Sequence, residues 1–143
     1  MQYLILTLAA MIVLLPENGW ADIVVIVNPD SSIVKLSRRQ IIDIYMGRNP
    51  GLESGQKIQP LDQPINSAVR AEFYRKLTGK PVSAINAYWA RLLFTGRAFP
   101  PLLVEDNKAM LNTVLKNPNT VGYLESQYLT ERVKVVYKLE KNE

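Results

Sequence analysis

Apolar residues recur along this chain in two rhythms, and the change from one to the other outlines the fold. Residues 23–27, Ile-Val-Val-Ile-Val, form an unbroken β-branched run. A short run of this kind predicts a strand covered by helices on both faces. Residues 57–61 predict a shorter second strand, and residues 121–124 a third. In residues 133–139 the pattern is alternating: Val133, Val135, Tyr137 and Leu139 are apolar, while Lys134 and Lys138 are not. That alternation predicts a half-exposed edge strand.

Helical spacing fills the stretches between. Ser37 with Gln40 three residues later makes a capping box, and Ile41, Ile44 and Tyr45 supply the inner face of a first helix that stops at Gly47. Asn66 or Ser67 caps a second helix, because a short side-chain oxygen accepts from the free N–H groups of a first turn. Val69, Phe73 and Leu77 form its buried stripe, and Gly79 lies just past its end. Pro81 and Ser83 open a third helix, with Ile85, Tyr88, Trp89, Leu92 and Leu93 on one face. Trp89 then belongs to the core, where its N–H needs one partner. Asp106 caps a fourth helix reaching Asn117, with Met110, Leu111, Val114 and Leu115 buried and Pro118 as the stop. Residues 126–130 predict a single helical turn. Residues 28–32, 49–56 and 99–101 are rich in turn formers and predict loops. The order of elements predicts one α/β domain, a small mixed sheet flanked by helices.

The N-terminus has a different character. Leu4 to Leu15 is apolar, Pro16 interrupts the run, and Gly19 and Ala21 are the small residues that a leader-peptide cut requires. The run is shorter than the about 20 apolar residues of a bilayer span. Residues 1–21 are therefore expected to be a signal peptide cut after Ala21, leaving residues 22–143 as the domain, with no stable membrane span after cleavage. The alternative is an uncleaved anchor. Cleavage removes one charged residue, Glu17, and takes the net charge from +4 to +5. A secreted chain without cysteine fits a periplasm better than a disulfide-forming extracellular space.

Composition narrows the chemistry. The chain has no cysteine and no histidine. Thiolate nucleophiles, disulfides, and the usual general base and zinc ligand are all missing. Asp43 and Asp62 are lone carboxylates with no visible catalytic partner, so no enzyme is expected, nor any cofactor or metal. The 17 Lys and Arg residues are scattered, and Phe73, Tyr88 and Trp89 lie on core faces. Nucleic-acid binding has no stacking platform here. What remains is the amino end of the second helix. Its unpaired N–H groups and partial positive charge suit a small anion. Arg70, one turn in, could add a bidentate donor. The turn at residues 28–32, also following a strand, offers Asn28, Ser31 and Ser32 as a second loop for the same pocket.

Several segments carry a family resemblance. They are Val24-Val25-Ile26-Val27-Asn28-Pro29, the run from Leu36 to Gly47, the strand–loop–helix over residues 58–73, and Asn119-Thr120-Val121-Gly122-Tyr123. The second is similar to a Leu-Ser-x-x-Gln-Leu-x-x-Ile-Phe-x-Gly helix. Together they resemble one lobe of the phosphate-binding receptors of ABC uptake systems, the PstS-like family with its type 2 periplasmic-binding fold. The closest likeness is to half-size members with a Tyr-Trp-Ala-Arg…Phe-Thr-Gly segment, here residues 88–96. The resemblance implies a secreted protein that binds phosphate or a similar oxyanion, linked to phosphate uptake or sensing. It implies a site at Gln63, Asn66, Ser67, Ala68, Val69 and Arg70. Where the family has Ser-Gly-Thr, this chain has Ser67, Ala68 and Val69. Where the family has a charged Arg and Asp just before that serine, this chain has Gln63 and Ile65. One lobe gives only one wall of a binding cleft, so a second copy or another protein is expected to replace the missing lobe. The alternative is a protein-interaction module that keeps the fold without the anion site.

Overall fold

The computed structural model describes residues 22–48 and 55–140. The expected leader, most of the expected loop at 49–56 and the last three residues lie outside the described residues. The elements are β1 (Ile23–Val27), α1 (Arg38–Tyr45), β2 (Gln59–Asp62), α2 (Ala68–Thr78), α3 (Val82–Thr95), β3 (Leu102–Leu103), α4 (Asn107–Lys116), β4 (Thr120–Glu125) and β5 (Lys134–Leu139), with a 3₁₀ turn at Ser126–Tyr128. Among the described residues no helix is long and apolar enough to cross a membrane.

The five strands form one mixed sheet in the order β3-β2-β4-β1-β5. β1 runs antiparallel to β4 and β5, whereas β2 runs parallel to β3 and β4. All five residues of β1 are buried, as its unbroken apolar run predicts. Strand alternation sends them to opposite faces. Ile23, Val25 and Val27 join the larger core under α1, α2 and α3. Val24 and Ile26 pack against Met110 and Val114 of α4. β4 approaches α4 closely at Gly122. A Cβ there would lie 2.5 Å from the Met110 sulfur and 3.3 Å from a Val114 methyl, so the strand needs glycine at that point.

Helix ends follow the local chemistry. Ser37 and Gln40 form the reciprocal capping box of α1. Ser67, rather than Asn66, caps α2. Gly79 closes α2 at φ 73°, a left-handed conformation that costs glycine nothing sterically. Asp106 caps α4.

Three expectations change. β3 follows the expected loop at 99–101 and has no counterpart in the sequence pattern; two leucines after two prolines carry no strand period, and only pairing with β2 makes them a strand. In β5 the alternation slips. Val136 has no partner in the register, which jumps between Val25 and Ile26, so the strand carries a bulge. The bulge changes the phase: Val136 and Leu139 are buried while Val135 is 39% exposed. β5 does lie at an edge of the sheet. On α3, Ile85 and Trp89 are buried but Leu93 is 51% exposed. That helix lies on the outside and buries a narrower stripe than its spacing predicts.

Candidate functional site

The carboxyl end of β2 carries an acidic residue into the interior. Asp62 is 1% exposed. Its carboxylate accepts from the Tyr123 hydroxyl and the Gln63 N–H (3.0 Å) on one oxygen. The other oxygen accepts from the Tyr74 hydroxyl (2.7 Å) and Arg70 Nε (3.1 Å). Four donors, from β4, α2 and the residue that follows β2, thus satisfy both oxygens.

Arg70 turns inward to meet it. Nη1 donates to Asn86 Oδ1 of α3 at 2.9 Å and to the Ile65 carbonyl at 3.4 Å, and the guanidinium lies 5.1 Å from the Tyr74 ring centre. The pair is almost fully buried. Arg70 is therefore neutralised by Asp62 and braces the turn between β2 and α2 from inside. Gln63 braces it from the other side, donating from Nε2 to the Tyr123 carbonyl and to Asn107 Oδ1 at the start of α4, each at 3.0 Å.

On the outer side of this frame stands the first turn of α2. Ser67 is extended (φ −75°, ψ 142°), and its Oγ accepts from the Arg70 N–H at 3.3 Å. The N–H groups of Ala68 and Val69 find no acceptor among the described residues. Asn66 and Ala68 are exposed, and Ser67 and Val69 half-buried. The structure brings Gln63, Asn66, Ser67, Ala68, Val69 and Arg70 together at one corner, with Gln63 and Arg70 behind it.

Asn28, Ser31 and Ser32 do not join them. β1 and β2 run in opposite directions on either side of β4, so their carboxyl ends lie at opposite ends of the sheet. The expected convergence of the two loops is corrected on that ground. Asn28 instead donates to the Val114 and Leu115 carbonyls, both at 3.0 Å, closing the last turn of α4, and accepts from the Asp30 N–H. Ser31 accepts from the Ile33 N–H, and Ser32 donates to Gln56.

A cleft of about 380 Å³ opens beside the corner. Its polar floor is Asp62, Arg70 and Asn86; Ile65, Trp89 and Leu103 are among its apolar lining. Trp89 Nε1 is buried without a partner among the described residues. The sequence shows Asp62 only as a lone carboxylate and Tyr123 only as part of a strand, and it does not single out Tyr74 or Asn86 at this site. One hint was available: Arg70 and Tyr74 are four apart on α2 and so share a face. The contribution of Tyr123 comes only through the sheet.

Burial pushes the Tyr74, Tyr123 and Tyr45 hydroxyls well above the ordinary tyrosine value, and the Asp62 charge adds to the rise. Folding thus favours the neutral phenols. Their contribution to stability is complete below the ordinary value of 10.0 and is lost as pH rises beyond it. Urea denaturation at about pH 9 and about pH 11.5 should show a clear loss at the higher pH. Equal stability would mean that the phenols reach water.

Over 81% of its length this chain is similar to an ABC-type phosphate transport receptor from Vibrio cholerae, with a TM-score of 0.63 and 21% identity, covering 46% of that chain. A putative phosphate ABC transporter substrate-binding protein from Clostridium perfringens, solved with bound phosphate, gives 0.63 and 19%, with 45% of that chain covered. PstS from Borrelia burgdorferi gives 0.57 and 14%, with 47% covered.

The fold matches a single lobe of the periplasmic-binding fold.

The lobe spans less than half the length of the receptors it matches. Its sequence matches no family model and no curated protein.

Proposed function

We infer that this lobe is a binding protein that takes phosphate or a similar small oxyanion at the amino end of α2, in phosphate uptake or sensing outside the cytoplasm. One observation carries the reading: Ser67 caps a helix whose Ala68 and Val69 N–H groups have no acceptor among the described residues, at the carboxyl end of a parallel strand. Helix N-termini at that position in open α/β sheets are where anions bind. A structural relative described as having phosphate bound supports the choice of ion. Asn66, Ser67, Ala68 and Val69 would face the ion, while Gln63 and Arg70 hold the turn behind them. Secretion follows from the leader-like N-terminus. The absence of imidazole and thiol groups favours binding over catalysis.

Affinity should be low. The Arg70 charge is offset by Asp62, and one lobe supplies one wall. A dissociation constant near millimolar, about −4 kcal/mol, is expected. Calorimetric titration of the protein with phosphate and sulfate tests this, together with Ala68→Pro. Proline is favoured at the first helical position, and the extended Ser67 before it is compatible with it. The variant keeps the helix and removes one donor. Saturable binding that weakens several-fold in Ala68→Pro supports the reading. Absence of binding, or binding untouched by the substitution, rejects it.

A further inference from the structure

β3 is an outer strand of the sheet, and both its residues are exposed, Leu102 at 56% and Leu103 at 48%. Leu93 and Phe94 from the end of α3, Phe99 from the loop into β3, and Ile65 are exposed as well; Phe94 and Phe99 reach 95% and 81%. A lone exposed apolar residue means little. Ile65, Leu93 and Leu103 line one cleft, and among the described residues no strand pairs with the outer side of β3; exposed apolar residues grouped at such a sheet edge mark a contact surface. The Val104 N–H donates to the Asp62 carbonyl. Backbone direction alternates along a strand, so the N–H and C=O of Leu103 turn to the open side.

Charge is divided across this edge. Arg91 and Arg97 precede β3, Glu105 and Asp106 follow it, and all four are exposed. We propose that a second copy of this chain pairs with the first along β3, edge to edge and antiparallel about a two-fold axis. A two-fold axis reverses the strand. The segment bearing Arg97 in one copy then runs beside the segment bearing Glu105 and Asp106 in the other, and the same match occurs twice. A parallel pairing would set like charges against each other. With Leu103 on the axis, its two copies exchange backbone hydrogen bonds. Phe94, Phe99 and Leu102 gain cover, and two five-stranded sheets become one of ten strands. The pairing does not depend on anion binding.

Sedimentation equilibrium on protein produced from the full sequence, as the cell leaves it, tests the proposal. The expected result is a dimer that Arg97→Glu or Glu105→Arg each weakens by about tenfold, and that the double exchange restores. Phe94→Asp, at a position almost wholly in solvent, is a second variant that cannot disturb the core and should also weaken the dimer by at least tenfold. A monomer throughout, or a complex with a different protein in place of the dimer, overturns the proposal. So does a dimer indifferent to all these changes.

Discussion

Replacing Asp62 with alanine is expected to lower folding stability by about 3–5 kcal/mol, the cost of leaving a buried charge without its partner. Arg70 is 4% exposed. Without the carboxylate its guanidinium keeps Asn86 Oδ1 and the Ile65 carbonyl, two neutral acceptors, and nothing balances its charge. The Tyr74 and Tyr123 hydroxyls also lose their acceptor. Domains of this size have total stabilities of roughly 5–15 kcal/mol, so the loss is a large share. Thermal unfolding should fall by roughly 10–20 °C. The double variant Asp62→Ala with Arg70→Met should recover part of the loss, because it removes both charges and leaves only neutral groups, the two tyrosine hydroxyls and Asn86 Oδ1 among them, without their partners. A loss below about 1 kcal/mol in the single variant would show that the cleft admits enough water to solvate Arg70.

Phe73→Ala is expected to cost about 3–5 kcal/mol by a different route. Phe73 is fully buried beneath the sheet. Its ring stacks on Tyr123 with centroids 3.6 Å apart and planes within 4°, and meets Tyr45 and Tyr74 edge-on at 4.9 and 5.2 Å. Truncation leaves a cavity whose walls, β4, α1 and the rest of α2, cannot close without shifting the sheet. Tyr123 loses its support on one face and holds Asp62 less firmly. The two losses should therefore be coupled, and the double variant with Asp62→Ala should cost less than the sum of the singles. Urea denaturation of both singles and the double gives the coupling directly. Strict additivity would mean that the aromatic cluster and the buried ion pair are independent.

The site is unevenly legible in the sequence. The corner itself is readable: a cap at Asn66 or Ser67, the first helical turn after it, and Gly79 as stop are all local features. Counted along the helix, Arg70 is one turn from the cap, a spacing that predicts a clamp on the ligand. The structure turns it inward, since Asp62 and Asn86 lie on that side. Neither is its neighbour in sequence. The loop at Asn28 was assigned to the same pocket on the rule that strands end at ligand sites. That rule needs parallel strands, and β1 runs against β2. Sequence pattern does not give strand direction.

What the sequence determined by itself is what four to eight consecutive residues can enforce: the helix starts at Ser37 and Asp106, a third start at Asn66 or Ser67, the left-handed stop at Gly79, and the burial of β1 on both faces. Caps and glycine stops act within a single turn, so they survive any change in the rest of the fold. The tertiary structure decided the rest. It made a strand of Leu102 and Leu103 by offering β2 as a partner, and it placed a bulge at Val136 that turned Val136 inward in place of Val135. It brought Tyr123, Asp62, Arg70 and Asn86 together from four elements. Each of these depends on groups tens of residues apart meeting across the sheet, and hydrogen-bond pairing and desolvation act on position in space, not on order along the chain.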